Sequence, residues 1–363
     1  MNHLTGNLLV FDSFTQTFAE DARICEILSP DFETPAFDKL VPSWNTTTPH
    51  GTSVEVFASV RHAETGAWST WHSFGLWGAT IARHSGSSED EIASVDTDTL
   101  AVKGEANGVR LRVLLRRECL DATPVVRRVF ATIRCAREPI DPVVLPAPAA
   151  SVRLTTPAYS QMDRHPDIGR VICSATTMTA LLNDRGEDLL PEELSAANFD
   201  YVYRGYGNWS FTTAAASELG YRAHVQYGSF DLVRGELAAG RSVGMAVHYS
   251  SSPDGDHPYL ENGAARNTAG HLIAICGYCE EDGVEYYYSC DSASNGDAKC
   301  LRRYRRDQLD IAWSGRILYL VDGNEQKERV FRRVNASLTP ISGAEYALEA
   351  DGAPVSLAPD FVT

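Results

Sequence analysis

Residues 172–186 read ICSATTMTALLNDRG, and residues 269–292 read AGHLIAICGYCEEDGVEYYYSCDS. In the first stretch Ala175, Met178, Leu181 and Leu182 recur at helical spacing, and Gly186 is suited to close a helix, since glycine accepts the left-handed conformation there. In the second, two apolar and aromatic runs flank Asp282-Gly283, a pair that tolerates the positive φ of a tight hairpin turn. A helix followed by a strand hairpin indicates an α+β domain.

The two stretches also carry the residues best placed for chemistry. Cys173 stands at the start of the helical pattern, where unpaired amides and the helix dipole favour a thiolate. His271 opens the apolar run LIAIC, and Asp291 ends the next strand of the same hairpin, so neighbouring antiparallel strands can bring the carboxylate to the imidazole. Gln161, twelve residues before Cys173 in AYSQMDRH, is a candidate side-chain donor to an oxyanion. The order Cys, His, Asp is that of papain-like enzymes.

Working outward, a second helix is expected to begin near Pro191, a third to cover FTTAAASELG, and a fourth to end at Gly240 ahead of a strand. The loop SSPDGDHPYLENG before His271, with Asp256 and His257, is a candidate cover for a cleft. Upstream, REPIDPVVLPAPAAS holds Pro139, Pro142, Pro146 and Pro148; proline fixes φ and lacks an amide donor, so this stretch reads as a semi-rigid linker. Before it, from about Val54 to Arg134, short alternating segments such as VRLRVLLRR put apolar side chains on one face and basic ones on the other. That pattern predicts an antiparallel β-sandwich. The expected organisation is therefore a β-sandwich-like accessory domain at 1–136, a linker at 137–156, the α+β domain at 157–321, and a β-rich extension at 322–363 with a turn at Asp351-Gly352.

With 363 residues, two domains are the natural expectation. A formal charge of −16 argues against a nucleic-acid partner, which needs clustered cations. The one basic stretch, Arg302, Arg303, Arg305 and Arg306, reads as a solvated turn or strand edge pairing locally with Asp307 and Asp310. No apolar run is long enough to span a bilayer, so no membrane contact is expected. The N-terminus MNHLTGNLLVFDSF lacks a basic leader region, so a cytoplasmic location is expected, or a secreted one if a leader has been removed.

The stretches YSQM, ICSATTMTALL, YGNWSFTTAAASELGY, AGRSVGMAV, AGHLIAICGY and CDSAS, closing at Trp313, resemble the bacterial C39-like family of papain-fold cysteine peptidases over residues 157–321. The upstream PSWN, TPHGTSVEV, WSTWHSFGLWG and VDTDTL resemble the β domain that precedes the peptidase in some members. The resemblance implies a papain-like domain with Cys173, His271 and Asp291 at the catalytic positions and Gln161 at the oxyanion position. This chain departs from it with Ile172 and Ala175 around the cysteine, and with Cys290, Asp291, Ser292 where many members have Asn-Asp-Pro. Most members are exported.

The function expected is hydrolysis of a peptide or amide bond through a Cys-His-Asp triad and an acyl-enzyme, without a cofactor. The alternatives are an acyltransferase, in which an amine resolves the acyl-enzyme, and a catalytically silent binding protein. For the last, Trp68, Trp71, Phe74 and Trp77 form a candidate carbohydrate or peptide platform, against a plain role in the sheet core. Cys276-x-x-Cys279, followed by Cys290 and Cys300, lacks a second close pair and reads as packing rather than a metal site.

Overall fold

The computed structural model describes residues 3–14, 17–135 and 151–325, together with the backbone of 348–350 and 353–355. The chain divides into two compact units, Met1–Glu325 and Gln326–Thr363.

The alternation in the first third produces an antiparallel β region of ten strands hydrogen-bonded into one sheet. In the strand Thr99–Arg117, Val109, Leu111, Val113 and Leu115 are buried while Arg110, Arg112 and Arg116 lie on the wetter face. This strand merges two segments that the sequence suggests separately, DTLAVKG and GVRLRVLLRRE. A second long strand, Phe32–Thr47, runs through Pro35 and Pro42, residues that strands usually hold only at edges or bulges. Pro35 falls in a register shift between Glu33 and Phe37, and Pro42 pairs with Ala131 without needing to donate.

The expected helices are present as α1 (Cys173–Asn183), α2 (Pro191–Asn198), α3 (Trp209–Glu218) and α4 (Phe230–Ala238), with a short α5 (Arg306–Ala312) added. They accompany an antiparallel sheet in which the strands Tyr221–Tyr227, Ile317–Asn324, Val243–Ser250, Asn267–Glu281, Val284–Cys290 and Leu301–Arg305 follow one another in that spatial order, the first and last at its edges. The hairpin turns at Asp282 (φ 50°) and Gly283 (φ 76°), as its sequence demands. α1 packs closely on this sheet at Gly244, where a Cβ would lie 2.9 Å from Tyr319 and 3.2 Å from Thr177.

The two regions share one core. α3 is buried on almost every side, and its small residues let it sit between the β region and α1. The Phe211 ring lies 5.3 Å from that of Trp77 and 6.1 Å from that of Trp44. At its other end Glu218 accepts from the Thr46 hydroxyl (3.1 Å), the Thr48 amide (2.9 Å) and hydroxyl (2.8 Å), and Trp77 Nε1 (3.0 Å). Four donors offset the cost of a carboxylate at a helix C-terminus.

Part of the linker region, 136–150, lies outside the described residues; after it Val152–Arg153 already pairs with Tyr278 and Gly277. In the second unit Leu348–Ala350 pairs with Ala353–Val355, and the expected turn at Asp351-Gly352 lies outside the described residues. Among the described residues, no helix is long and apolar enough to cross a membrane.

Candidate active site

Cys173 is the first residue of α1, half-buried, and Thr177 one turn later ties the helix to the His271 strand by donating to the Leu272 carbonyl at 2.9 Å. Ser174 shares hydrogen bonds with Thr212 (2.9 Å) and Tyr319 (2.8 Å), fixing the helix start from the other side. A rigid first turn is what a nucleophile at this place requires.

His271 lies opposite Val247, and the next pair, Tyr249 with Thr268, shows a bulge between them on the His271 strand. Bulges re-aim side chains, and this one falls beside the histidine. Cys290 pairs with Ala274, so Asp291 stands one step past the last pair and His271 reaches it diagonally. His271 Nε2 lies 2.8 Å from Asp291 Oδ1, and its ring also hydrogen-bonds Cys173. With Nε2 committed to Asp291, Nδ1 is the nitrogen left to face the sulfur.

Asp291 is fully buried and well satisfied. Oδ1 also accepts the Ala293 amide at 3.0 Å, and Oδ2 accepts the hydroxyls of Tyr249 and Tyr304, each at 2.7 Å. Tyr249 in turn accepts the Ala265 amide at 3.1 Å. Neither tyrosine was expected here. Their signal was the period-2 inward position each holds on the strands flanking those of His271 and Asp291, but nothing local names the target of a hydroxyl.

The three groups polarise one another. Burial opposes charge on Asp291, yet the His271 charge and hydrogen bond and the two tyrosine hydroxyls bring its carboxyl down to about 2. For His271, burial would favour the neutral ring, but Asp291 and Cys173 lift it to about 10. Burial would likewise raise the Cys173 thiol; the hydrogen bond and charge of His271, with the amides of Leu272 and Ser174, outweigh it and hold the thiol below its ordinary value. The arrangement favours a thiolate facing an imidazolium.

Gln161 is buried, in a short 3-10 turn capped by Ser160. Its amide N–H donates to the Ser292 carbonyl (2.8 Å), Oε1 accepts from Ser292 Oγ (2.7 Å), and Nε2 donates to the Gly169 carbonyl (2.9 Å). It is thereby fixed to the loop that follows Asp291.

Other sequence candidates fall elsewhere. Phe74 and Trp77 are buried in the core and cannot form a platform, whereas Trp68 and Trp71 are half-buried with the Arg110 guanidinium 4.5 and 4.9 Å from their rings. Arg302, Arg303 and Arg305 lie on the edge strand and Arg306 opens α5. Arg305 pairs with Asp307 (2.8 Å) as expected, but Asp310 pairs with Arg316 (2.7 Å) instead. Cys279 faces Tyr288 and Glu281, whereas Cys290 points toward the Thr156 carbonyl. Among the described residues no group of three His, Cys, Asp or Glu could hold a metal ion. The loop before His271 is pinned to its surroundings: Glu261 donates its amide to Gln308 (2.9 Å), and Arg302 donates to the Asn262 carbonyl (2.7 Å).

Comparison with known proteins gives two family matches. Residues 153–316 match the model of the Peptidase C39-like family, and residues 4–133 that of the Peptidase C39 N-terminal domain. A solved structure of digestive procathepsin L 3 from the Tenebrio molitor larval midgut aligns at 16% identity over 48% of this chain and 70% of that one, with a TM-score of 0.34. Among curated proteins nothing matches at a significant level.

Proposed function

We propose that the chain is a cysteine peptidase or amidohydrolase, because residues 153–316 match the model of the Peptidase C39-like family and residues 4–133 that of the Peptidase C39 N-terminal domain. The observation that carries the reading is His271, hydrogen-bonded on one side to Cys173 and on the other to a buried Asp291.

In this reading the Cys173 thiolate attacks the carbonyl carbon of a peptide or amide, and the carbonyl π electrons move onto oxygen. The Cys173 amide and the Nε2 proton of Gln161 not given to Gly169 stabilise that oxyanion. Collapse breaks the C–N bond, and the departing nitrogen takes its proton from the His271 imidazolium. Neutral His271 then accepts a proton from water as the water oxygen attacks the thioester, and the second collapse returns the Cys173 thiolate. Asp291 keeps the imidazole oriented and stabilises its charged form throughout.

Cys173→Ala is expected to abolish both turnover and labelling by a peptidyl vinyl sulfone. A variant labelled as fast as the wild type overturns the assignment. Mass spectrometry of products formed with and without an added amine separates hydrolysis from acyl transfer.

A further inference from the structure

Three groups of the β region grip the segment that joins α2 to α3. Arg83, 5% exposed, lies 5.4 Å from the Trp77 ring centre and donates to the carbonyls of Ala196 (3.1 Å) and Ala197. These are last-turn carbonyls of α2, which lack helical partners, and a cation suits that end of a helix. The Arg83 carbonyl accepts the Tyr201 amide at 3.1 Å. The Ser85 amide donates to Asp200 Oδ1 at 3.1 Å. The same oxygen accepts the amides of Val202 and Tyr203 (3.0 Å each), while Oδ2 accepts Asn208 Nδ2 (3.0 Å). Asp98, 8% exposed, accepts the amide of Trp209, the first residue of α3, at 2.7 Å. The start, middle and end of the segment are thus all fastened to the β region by buried groups.

The segment does more than connect. At its apex Tyr201, Val202 and Tyr203 are 55%, 65% and 51% exposed, three large side chains in a row turned toward solvent. The Tyr203 ring lies over Gly205, where a Cβ would come within 2.8 Å of it. A short hydrogen-bond chain leads from this loop to the nucleophile: Asn198 Nδ2 donates to the Tyr206 carbonyl (3.0 Å) and to Thr212 Oγ1 (2.9 Å), which bonds Ser174 beside Cys173. In the same sense, the Tyr203 phenol is pushed up by burial and by the nearby charges of Asp98 and Cys173.

We propose that the N-terminal β region is a working part of the substrate cleft, with Arg83 and Asp98 as positioning residues that hold Tyr201, Val202 and Tyr203 as a fixed wall for an extended peptide beside Cys173. The proposal rests on the peptidase reading above. It gives the β region a role in substrate binding rather than in the chemical step.

The test compares Arg83→Met, Arg83→Lys, Asp98→Ala and Asp98→Asn with the wild type, all as full chains, in two reactions of Cys173. Iodoacetamide is too small to span the wall; a vinyl sulfone carrying an apolar tripeptide must lie along it. Iodoacetamide rates and their pH profiles should stay within about twofold, while half-maximal inactivation by the vinyl sulfone should need roughly tenfold more reagent in Arg83→Met and Asp98→Ala at an unchanged limiting rate. Arg83→Lys and Asp98→Asn, which keep a cation and an acceptor, should recover most of the loss. Equal loss of both reactions, or loss of neither, overturns the proposal. Hydrogen exchange supplies an independent reading: residues 199–209 should lose protection in Arg83→Met and Asp98→Ala while the strands of His271 and Asp291 keep theirs. Unchanged protection at 199–209, or uniform loss across the sheet in both variants, also overturns it. A wild-type Cys173 that reacts as an ordinary thiol counts against the peptidase assignment, and hydrogen exchange then decides the role of the β region alone.

Discussion

Tyr249 and Tyr304 donate to the same oxygen, Oδ2 of Asp291, from strands on either side of the His271–Asp291 pair. Each donor stabilises the carboxylate and not its protonated form, so together they help to keep Asp291 ionised at about pH 2 and above. Because the folded-state value is depressed, the stabilisation is complete above the ordinary carboxyl range and is lost as pH falls toward 2.

Tyr304→Phe leaves a buried carboxylate one donor short. We expect a loss of about 1.5–3 kcal/mol at neutral pH. The gap from the wild type should narrow as pH falls toward 2, where Asp291 takes up its proton in both proteins. Urea unfolding at pH 7 and pH 3 measures this, and a gap that does not change with pH refutes it.

Asp291 governs His271 in turn. Without the carboxylate, burial is the dominant influence on the ring, so its proton is lost well below the value of about 10 that it now holds. In Asp291→Ala the basic limb of Cys173 alkylation should therefore move to lower pH, with a maximum rate roughly 10- to 100-fold lower. Asp291→Asn retains an acceptor for Nε2 and should lose less. Coinciding profiles for all three proteins, with a single rise near an ordinary thiol value, would remove Asp291 from its role.

Gln161 offers a cleaner separation of steps. Alkylation by iodoacetamide develops no oxyanion, whereas acylation by a peptide substrate does. Gln161→Ala should lower kcat/KM for a peptide by roughly 10²- to 10³-fold and leave iodoacetamide alkylation within about twofold. Parallel losses in both would mean that Gln161 only supports the fold through Ser292 and Gly169.

Much of the site was legible because its elements are local. The apolar spacing in 173–182 and the turn at Asp282-Gly283 define α1 and the hairpin, and the hairpin alone brings His271 to Asp291. The tyrosines were hidden because a hydroxyl's partner is set by the order of strands, which alternation does not encode. The aromatic series misleads for a related reason. Gly75 has φ of 100° and the register shifts opposite it, so Phe74 and Trp77, three residues apart, both face the core. Asp98, Ser85 and Arg83 give no local sign of their partners, which lie more than a hundred residues further along the chain.

The strand Ile317–Asn324 hydrogen-bonds between Tyr221–Tyr227 and Val243–Ser250, and its Tyr319 hydroxyl reaches Ser174 across 145 residues of sequence. On the ribosome, then, the nucleophile emerges long before its surroundings can close, and a gap stays open in the middle of the sheet until that strand arrives. Such late, distant pairing delays folding. Under the proposed peptidase reading the delay would be protective: a nascent or truncated chain carries Cys173 but not the finished sheet that sets His271 and Asp291 against it, so the proposed triad would assemble only after synthesis has passed residue 324.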